Sequence, residues 1–517
     1  MKINFECSEA LPKLAWHASI DQLNEHCHVR HGPWVEVFNN GFVEGVWDGP
    51  FNQFLFDQSA CIFGSGAILK DQTITFVSST STTDCLYYSS TADRVEVSNS
   101  LPLLLAINGD ELDPGCKEYH LINESITNGI RKYIKKIPTK NSSVNRLIHF
   151  NLAVNKFSTK EIEKNLEPVF NNFDEYYNYL NLCYKMIFEN SVDRSRKKSM
   201  MVFSTQSKGY DSTAVNAIAK NYHIDKVFTV TKGKAKGSFW GESLDKEPDD
   251  DGAEICAVFG INCVKLDRHL IENIEDGEYR VHATLHDSGD LNLLAISSFV
   301  EKPTILLTGC LGEIWYTNEY YNEAVWKLSP ELVRGDLGNH GMTETRLEAG
   351  YVQVAFPFIG ARSRQCILNI TMSAEMAPWR LETTYDRPIP RRIAEEAGLA
   401  RHMFGQVKMA SVVELPQPLV PVGKILRQDF FKFLIDEKVL KRHQLSFLPL
   451  VHKWNAIVAM TSPRTYRWNY YLQRLISKLT NTDFRFKPLW SSLNGQIFCF
   501  CVNKMVREYS VKTKRLI

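Results

Sequence analysis

At 517 residues the chain is too long for one ordinary hydrophobic core, which excludes a lone small binding module and predicts several domains. Hydrophobic residues at 44% and charged residues at 23% are globular values, so a largely disordered or low-complexity chain is excluded. Sixty Lys+Arg against 59 Asp+Glu leave a formal charge of +1, and with it no global electrostatic footprint for nucleic acid or an acidic membrane, although a local basic patch stays open.

Residues 1 to about 165 read as mostly β. Short runs such as Trp34–Phe38, Gln53–Phe56, Thr73–Val77 and Arg94–Val97 are separated by Gly, Asn, Asp and Ser turns, and an α+β or sandwich-like domain is expected. From Leu166 to about Arg196 the period changes: Phe170, Phe173, Tyr177, Leu180, Leu182, Met186 and Phe188 recur near helical spacing. This predicts a helix leading into a second domain.

Residues 197 to about 310 alternate strand and helix. Strands Met200–Phe203, Lys226–Val230, Asn262–Leu266 and Thr304–Thr308 are separated by helical stretches at Thr213–Tyr222, Asp250–Phe259 and Asp290–Val300. That alternation predicts a doubly wound, mostly parallel sheet with ligand chemistry at the carboxyl ends of its strands. Beyond about 320 the chain reads as helical, with aromatic-rich amphipathic stretches at Phe430–Leu440 and Thr465–Leu479.

The twelve cysteines are scattered without metal-ligand or disulfide-framework spacing, and buried reduced thiols are expected. The closest pair, Cys499 and Cys501 in Gln496–Val502, alternates like a strand, and no second pair follows to complete a zinc site. The N-terminal stretch has no apolar signal core and no apolar run reaches membrane-spanning length, so a soluble, cytoplasmic protein is expected.

The sharpest local feature is Met201–Thr213, a strand running into a small polar turn and then a helix. Ser207, Gly209 and Ser212 would let backbone and hydroxyl donors approach an anion at the helix N-terminus, where unsatisfied amides and the macrodipole favour phosphate. Asp211 stands where a nucleotide-bound Mg²⁺ could be held; the bland alternative is an ordinary helix cap. Leu306–Trp315 is a second strand ending in a glycine-containing turn, here carrying Glu313 after Gly309 and Gly312. Two carboxylates, Asp211 and Glu313, brought from two strand ends to one crevice would suit Mg²⁺, with Glu313 as a solvated helix-start acid the alternative.

Ser207-Lys-Gly-Tyr-Asp-Ser212 resembles the Ser-Gly-Gly-x-Asp-Ser pyrophosphate loop of the ATP pyrophosphatases, with Lys208 in place of the first glycine. The Gly309 turn resembles the Ser-Gly-Glu-Gly turn that follows this loop in asparagine synthetases, with Glu313 replacing an Asp. Ala355–Gly360 is similar to that family's Pro-Phe-Leu-Asp segment, with Gly360 for the Asp, and Lys408 matches the lysine of its active-site loop. The ordered set covers about 197 to 415. A weaker likeness of Asp48–Asp57, Asp84–Tyr88 and Val95–Ser100 is to the glutaminase-like domain that precedes it.

The resemblance implies an α/β protein in three parts. These are a four-layer α+β sandwich of the N-terminal-nucleophile type over 1–165, a doubly wound parallel-sheet ATP pyrophosphatase domain over 166–415, and a helical extension over 416–517. It implies an ATP- and Mg²⁺-dependent ligase that adenylates a carboxylate, releases pyrophosphate and forms an amide with an amine. Ser207, Lys208, Gly209, Asp211, Ser212, Gly309 and Gly312 would bind the nucleotide, Asp211 and Glu313 the metal, and Lys408 would stabilise the charge developing in the transition state. Glutamine hydrolysis in that family needs a cysteine directly after the initiator Met; Lys2 stands there and the first cysteine is Cys7, so that activity is expected to be absent, as in β-lactam synthetase and lasso-peptide cyclases.

The expected partners are a small-molecule or peptide carboxylate and an amine, with no membrane, no nucleic acid and a homodimer allowed. Two rival readings are a non-catalytic nucleotide- or partner-binding relative and an RNA- or nucleobase-modifying ATP pyrophosphatase. The basic loop Lys232–Gly241 could close over ATP, the acidic run Pro248–Glu254 opens the next helix, and His286–Asp290 is a substrate-side candidate.

Overall fold

A computed structural model describes residues 1–165, 167–231, 249–266, 277–284, 288–315, 332, 334, 337–381, 385–406, 417–459, 467–482 and 484–514, with the backbone of 234–235 and 409–410. It is a mixed α/β protein with several sheets, one of them all-parallel.

The N-terminal strands are β1 (Lys2–Cys7), β2 (Trp16–Asp21), β3 (His26–His31), β4 (Glu36–Phe38), β5 (Gly41–Trp47), β6 (Ile62–Lys70), β7 (Thr73–Val77), β8 (Leu86–Ser90), β9 (Arg94–Ser98), β10 (Lys136–Pro138), β11 (Ser143–Leu147), β12 (Asn151–Asn155) and β13 (Ser158–Ile162). They form a seven-stranded sheet, β1-β3-β2-β9-β8-β11-β10, and a six-stranded sheet, β13-β12-β7-β6-β5-β4. Period-two alternation decides the facing. On β3, Cys27, Val29 and His31 are buried while His26, His28 and Arg30 are half-exposed. Trp16, Ala18, Ile20, Cys27 and Val29 of the first sheet share an apolar core with Phe42, Ala67, Ile74 and Phe76 of the second. The Trp16 ring lies 5.9 Å from Phe76, stacked, and 4.9 Å from Phe42, edge-on.

Helix α1 (Leu101–Asn108) starts at Ser100, whose hydroxyl accepts the Leu103 N–H, and ends at Gly109 in the left-handed region. After α2 (Tyr119–Glu124), the long α3 (Phe173–Ser191) is capped by Asn172, carries Asp174 and Glu175 in its first turn, and buries Phe173, Tyr176, Leu180, Cys183, Tyr184 and Ile187 at three- and four-residue spacing.

The parallel sheet comprises β14 (Met201–Thr205), β15 (Lys226–Val230), β17 (Cys263–Leu266), β18 (Thr304–Thr308) and β19 (Tyr351–Ala355), ordered β17-β15-β14-β18-β19. Helix α4 (Tyr210–Ala219) follows β14, and α5 (Ala253–Phe259) precedes β17. The strands run outward from β14 in one direction and then, from β18, in the other. The order therefore reverses between β14 and β18, and the crevice at that reversal is where open parallel sheets take ligands. A two-residue strand β16 (Lys234–Ala235) pairs antiparallel with β20 (Met409–Ala410).

The remaining helices are α6 (Glu278–Val281), α7 (Thr343–Ala349), α8 (Arg364–Met372), α9 (Pro388–Glu396), α10 (Lys424–Asp436), α11 (Arg442–Leu445), α12 (Leu448–Ala459), α13 (Arg467–Thr480) and α14 (Leu493–Lys514). Helix α7 fastens the parallel sheet to both N-terminal sheets. The buried Arg346 guanidinium holds Glu44 of β5 at 2.9 Å and Asp84, just before β8, at 2.7 Å, while Ser100 donates to Glu344 at 3.0 Å.

Three local expectations are corrected. Gln53–Phe56 is not a strand: a 3-10 turn at Phe51–Gln53 ends with Phe54 left-handed (φ 52°), its ring stacked 3.9 Å from Phe38. Cys499 and Cys501 lie in helix α14, because Ile497, Phe498, Cys501, Val502, Met505 and Tyr509 recur at helical spacing and are buried. The helix expected over Asp290–Val300 is 3-10 over Ser288–Phe299. Among the described residues, no helix is long and apolar enough to cross a membrane, and all twelve cysteines are free thiols. Cys7, the first of them, ends β1 and is exposed.

Candidate functional site

The polar turn between β14 and α4 is knit by its own hydroxyls. Ser207 N–H donates to Ser212 Oγ at 3.0 Å, the two hydroxyls lie 3.0 Å apart, and Gly209 N–H donates to Ser207 Oγ at 3.1 Å. Gly209 is the N-cap of α4, extended (φ −76°, ψ 166°) and without a side-chain cap, so the amides of the first turn are not covered by a capping side chain. Below the turn, Asn216 donates to Thr205 O at 2.9 Å and to Gln206 Oε1 at 2.7 Å, while Gln206 Nε2 donates to Ser207 O at 2.6 Å and Thr213 Oγ1 at 2.9 Å. This buried amide pair fixes the loop's shape from beneath.

The turn after β18 lies directly against that loop. A Cβ added to Gly312 would fall 2.0 Å from Asp211 Cγ, and one on Gly309 would fall 2.7 Å from Asp211 Cβ and 2.9 Å from the Ser212 amide. Both positions need glycine because the Asp211 side chain occupies the space. The two motifs read separately from the sequence, Ser207–Ser212 and Gly309–Glu313, thus meet at the crevice where the strand order reverses. Glu313 sits on the 3-10 turn Gly312–Trp315, half-buried, next to the glycine that touches Asp211.

The charges at the loop come from further along the chain. Arg387, 1% exposed at the start of α9, donates Nη1 to Asp211 Oδ1. Arg391, one turn on and fully buried, donates to the Tyr210 hydroxyl and lies 4.9 Å from the Tyr210 ring centroid. Tyr385 packs 4.8 Å from Tyr210, with the Arg387 guanidinium 5.3 Å from its ring; burial, together with the Asp211 charge, pushes its hydroxyl well above the usual tyrosine range. Gly405, left-handed at φ 63°, donates its N–H to Lys208 O at 2.8 Å, and a Cβ there would lie 2.4 Å from the Tyr210 ring.

Lys208, the residue that departs from the resembling loop, turns to the acidic run. Its Nζ donates to Asp249 Oδ2 at 2.5 Å and its N–H to Asp250 Oδ1 at 2.8 Å. The ammonium holds the Asp249 carboxyl below the usual range. The acidic run expected merely to open α5 therefore closes against the loop.

Asp211 and Glu313 are hard oxygen donors of the kind Mg²⁺ takes, brought to one crevice by adjacent strand ends, and that donor chemistry fits. Asp211 is shared with Arg387 in the present arrangement. Among the described residues, no group of three or more His, Cys, Asp and Glu side chains could hold a metal ion.

Pro357 and Phe358 are buried after β19, and Gly360 (φ 82°) gives its N–H to Glu167 Oε1 at 2.9 Å, supporting the site rather than lining it. Asp290 is buried and accepts from the Asn339 and Gly341 amides, bracing the segment before α7. Lys408 lies outside the described residues, as do His286 and most of the basic loop Lys232–Gly241.

The sequence singles out Tyr385–Arg392 and Gly398–Lys408 as stretches that run into the Arg/Lys-bearing active-site loop of the resembling family, but assigns a role there to Lys408 alone and none to Tyr385, Arg387, Arg391 or Gly405. No protein-family model matches the chain, and a search of the curated proteins finds no match.

Proposed function

We propose that the chain is an ATP-dependent ligase that activates a carboxylate as its AMP ester, with release of pyrophosphate, and passes the acyl group to an amine. The observation that carries this reading is the meeting of the Ser207–Ser212 loop with the Gly309–Gly312 turn around Asp211 at the reversal of the parallel sheet. A carboxylate is a poor electrophile, and an AMP leaving group supplies the missing driving force; the protein's task is then alignment and charge neutralisation.

In this reading the first-turn amides of α4, with the Ser207 and Ser212 hydroxyls, take the β- and γ-phosphates. Gly209, Gly309 and Gly312 allow the close approach, and Lys208 and Arg387 supply positive charge. Asp211 and Glu313 would hold Mg²⁺, which when bound neutralises phosphate oxygens and polarises the bond to the α-phosphate. Lys408 is assigned to the charge that develops on acyl transfer. The architecture that goes with this function is a four-layer N-terminal sandwich and a doubly wound nucleotide domain with a helical extension. The substrates are a small-molecule or peptide carboxylate and an amine, and the setting is the cytoplasm.

The test needs no knowledge of those substrates. Calorimetric titration of α,β-methylene ATP into the wild type should show binding strengthened by Mg²⁺, and Asp211→Ala should lose that strengthening. A folded wild type that binds no nucleotide with or without Mg²⁺ would sink the ligase reading in favour of a non-catalytic relative.

A further inference from the structure

Asp211 creates a problem for any phosphate at this loop. Its carboxylate stands in the first turn of α4, pressed against Gly309 and Gly312, beside the loop whose donors would draw an anion in. Two anions side by side repel, and a buried wall strengthens the repulsion. Among the described residues the cation that meets this charge is Arg387, 1% exposed, whose Nη1 donates to Asp211 Oδ1.

Arg387 is well placed to serve more than one oxygen acid. A guanidinium presents five donors in a planar fork suited to carboxylate and phosphate alike, and stays charged at any working pH. The Arg387 head lies 5.3 Å from the ring of Tyr385, two residues before it, and its backbone is the N-cap of α9. Asp211 is its more exposed partner, at 20%. The same arrangement recurs alongside: Lys208 gives its ammonium to Asp249 and its amide to Asp250. The protein's own carboxylates, Asp211, Asp249 and Asp250, thus pair with Arg387, Lys208 and a loop amide, donors that a phosphate at this loop would draw on.

We propose that Arg387 is the positioning residue of this site: it neutralises Asp211 while the loop is empty and passes to the incoming pyrophosphate group, leaving the Asp211 carboxylate to the cation the nucleotide carries. No bond is made or broken in this exchange; one ion pair replaces another. The inference rests on the nucleotide-binding reading and gives Asp211 and Arg387 opposite signs in one measurement.

That measurement is calorimetric titration of inorganic pyrophosphate, first with chelator and no metal, then with Mg²⁺. Asp211→Asn removes the competing carboxylate, and should bind metal-free pyrophosphate about tenfold or more tighter than the wild type while losing the gain from Mg²⁺. Arg387→Gln should bind it about tenfold or more weaker, and Arg387→Lys should recover part of that loss. If Arg387→Gln does not fold because it strands Asp211, the double variant Asp211→Asn/Arg387→Gln carries the test and should bind metal-free pyrophosphate about tenfold or more weaker than Asp211→Asn alone. Asp211→Asn binding no tighter than wild type without metal, or an Arg387 variant binding as tightly as wild type, overturns the proposal while leaving the nucleotide reading intact. A folded wild type that binds neither pyrophosphate nor the ATP analogue overturns both.

Discussion

Gly312→Ala is the sharpest probe of whether the two turns form one site. The added methyl would start 2.0 Å from Asp211 Cγ, where ordinary contact begins at 3.4 Å, so the carboxylate must move by about 1.4 Å, the difference of the two. It cannot retreat along its own stem, because Gly309 already packs against Asp211 Cβ with no room for a methyl. The remaining escape is rotation to another rotamer, which breaks the contact with Arg387. Overpacking of this kind costs about 1–3 kcal/mol. If that cost falls on the bound state, nucleotide affinity drops roughly 5- to 150-fold, at about 1.4 kcal/mol per decade. Calorimetry with α,β-methylene ATP reads the affinity, and urea unfolding of the same sample shows whether the fold is kept. Wild-type affinity in a folded Gly312→Ala protein would refute the claim that Asp211 and the Gly312 turn act as one site.

Other expectations follow from the buried charges. Arg346→Ala strands Glu44 and Asp84 inside the protein and should destabilise it by about 3–5 kcal/mol, read by chemical denaturation, whereas Arg346→Met with Glu44→Gln and Asp84→Asn should recover much of that loss. Burial raises the Glu344 carboxyl to about 8, from an ordinary 4.5, so the folded state keeps a proton that the unfolded chain releases. Its stability contribution is full below about 4.5 and is lost as pH rises toward about 8; Glu344→Gln should flatten the fall in melting temperature across that window. Burial lowers the Lys164 ammonium to about 7, with Nζ donating to Ser78 O and Asn151 Oδ1, each at 2.7 Å. Here the folded state sheds a proton first, so stability rises with pH between about 7 and 10.5, and Lys164→Met should abolish that rise. Lys208→Ala removes the ammonium that Asp249 holds beside the loop, while the backbone bond to Asp250 stays, and should weaken nucleotide binding, more at low salt than at high.

In the parallel sheet, β19 (Tyr351–Ala355) was not legible, because it falls in the stretch beyond about 320 that reads as mainly helical, but the other four of the five strands were, as short runs bounded by turn residues. Strands such as Thr304–Thr308 declare themselves in this way. The glycines of Gly309–Gly312 were legible for a different reason: they sit just past a strand, where a close approach has a use. Helix α14 was misread because Phe498-Cys-Phe-Cys501 satisfies a period of two as well as a period near 3.6, and only the longer window through Tyr509 separates them. The stretch that carries Arg387 and Arg391 stood out in the sequence, but their partners did not, for a physical reason. A charged side chain is ordinarily solvated, and nothing in its neighbours along the chain reports the carboxylate or ring that will bury it.

The Arg346 cluster bears on what can be taken away from this protein. Its acids belong to β5 and the turn before β8, its base to a helix 302 and 262 positions later, and all three side chains are buried. Cut between the N-terminal sheets and the parallel sheet, the chain would yield one fragment with two homeless negative charges and another with a homeless positive one. Such pieces should be poor solitary folders and willing partners, each completing the other when mixed. The N-terminal half is then no detachable appendage whose loss would leave the remainder intact; whatever chemistry it does or does not perform, it is the counter-ion of the rest.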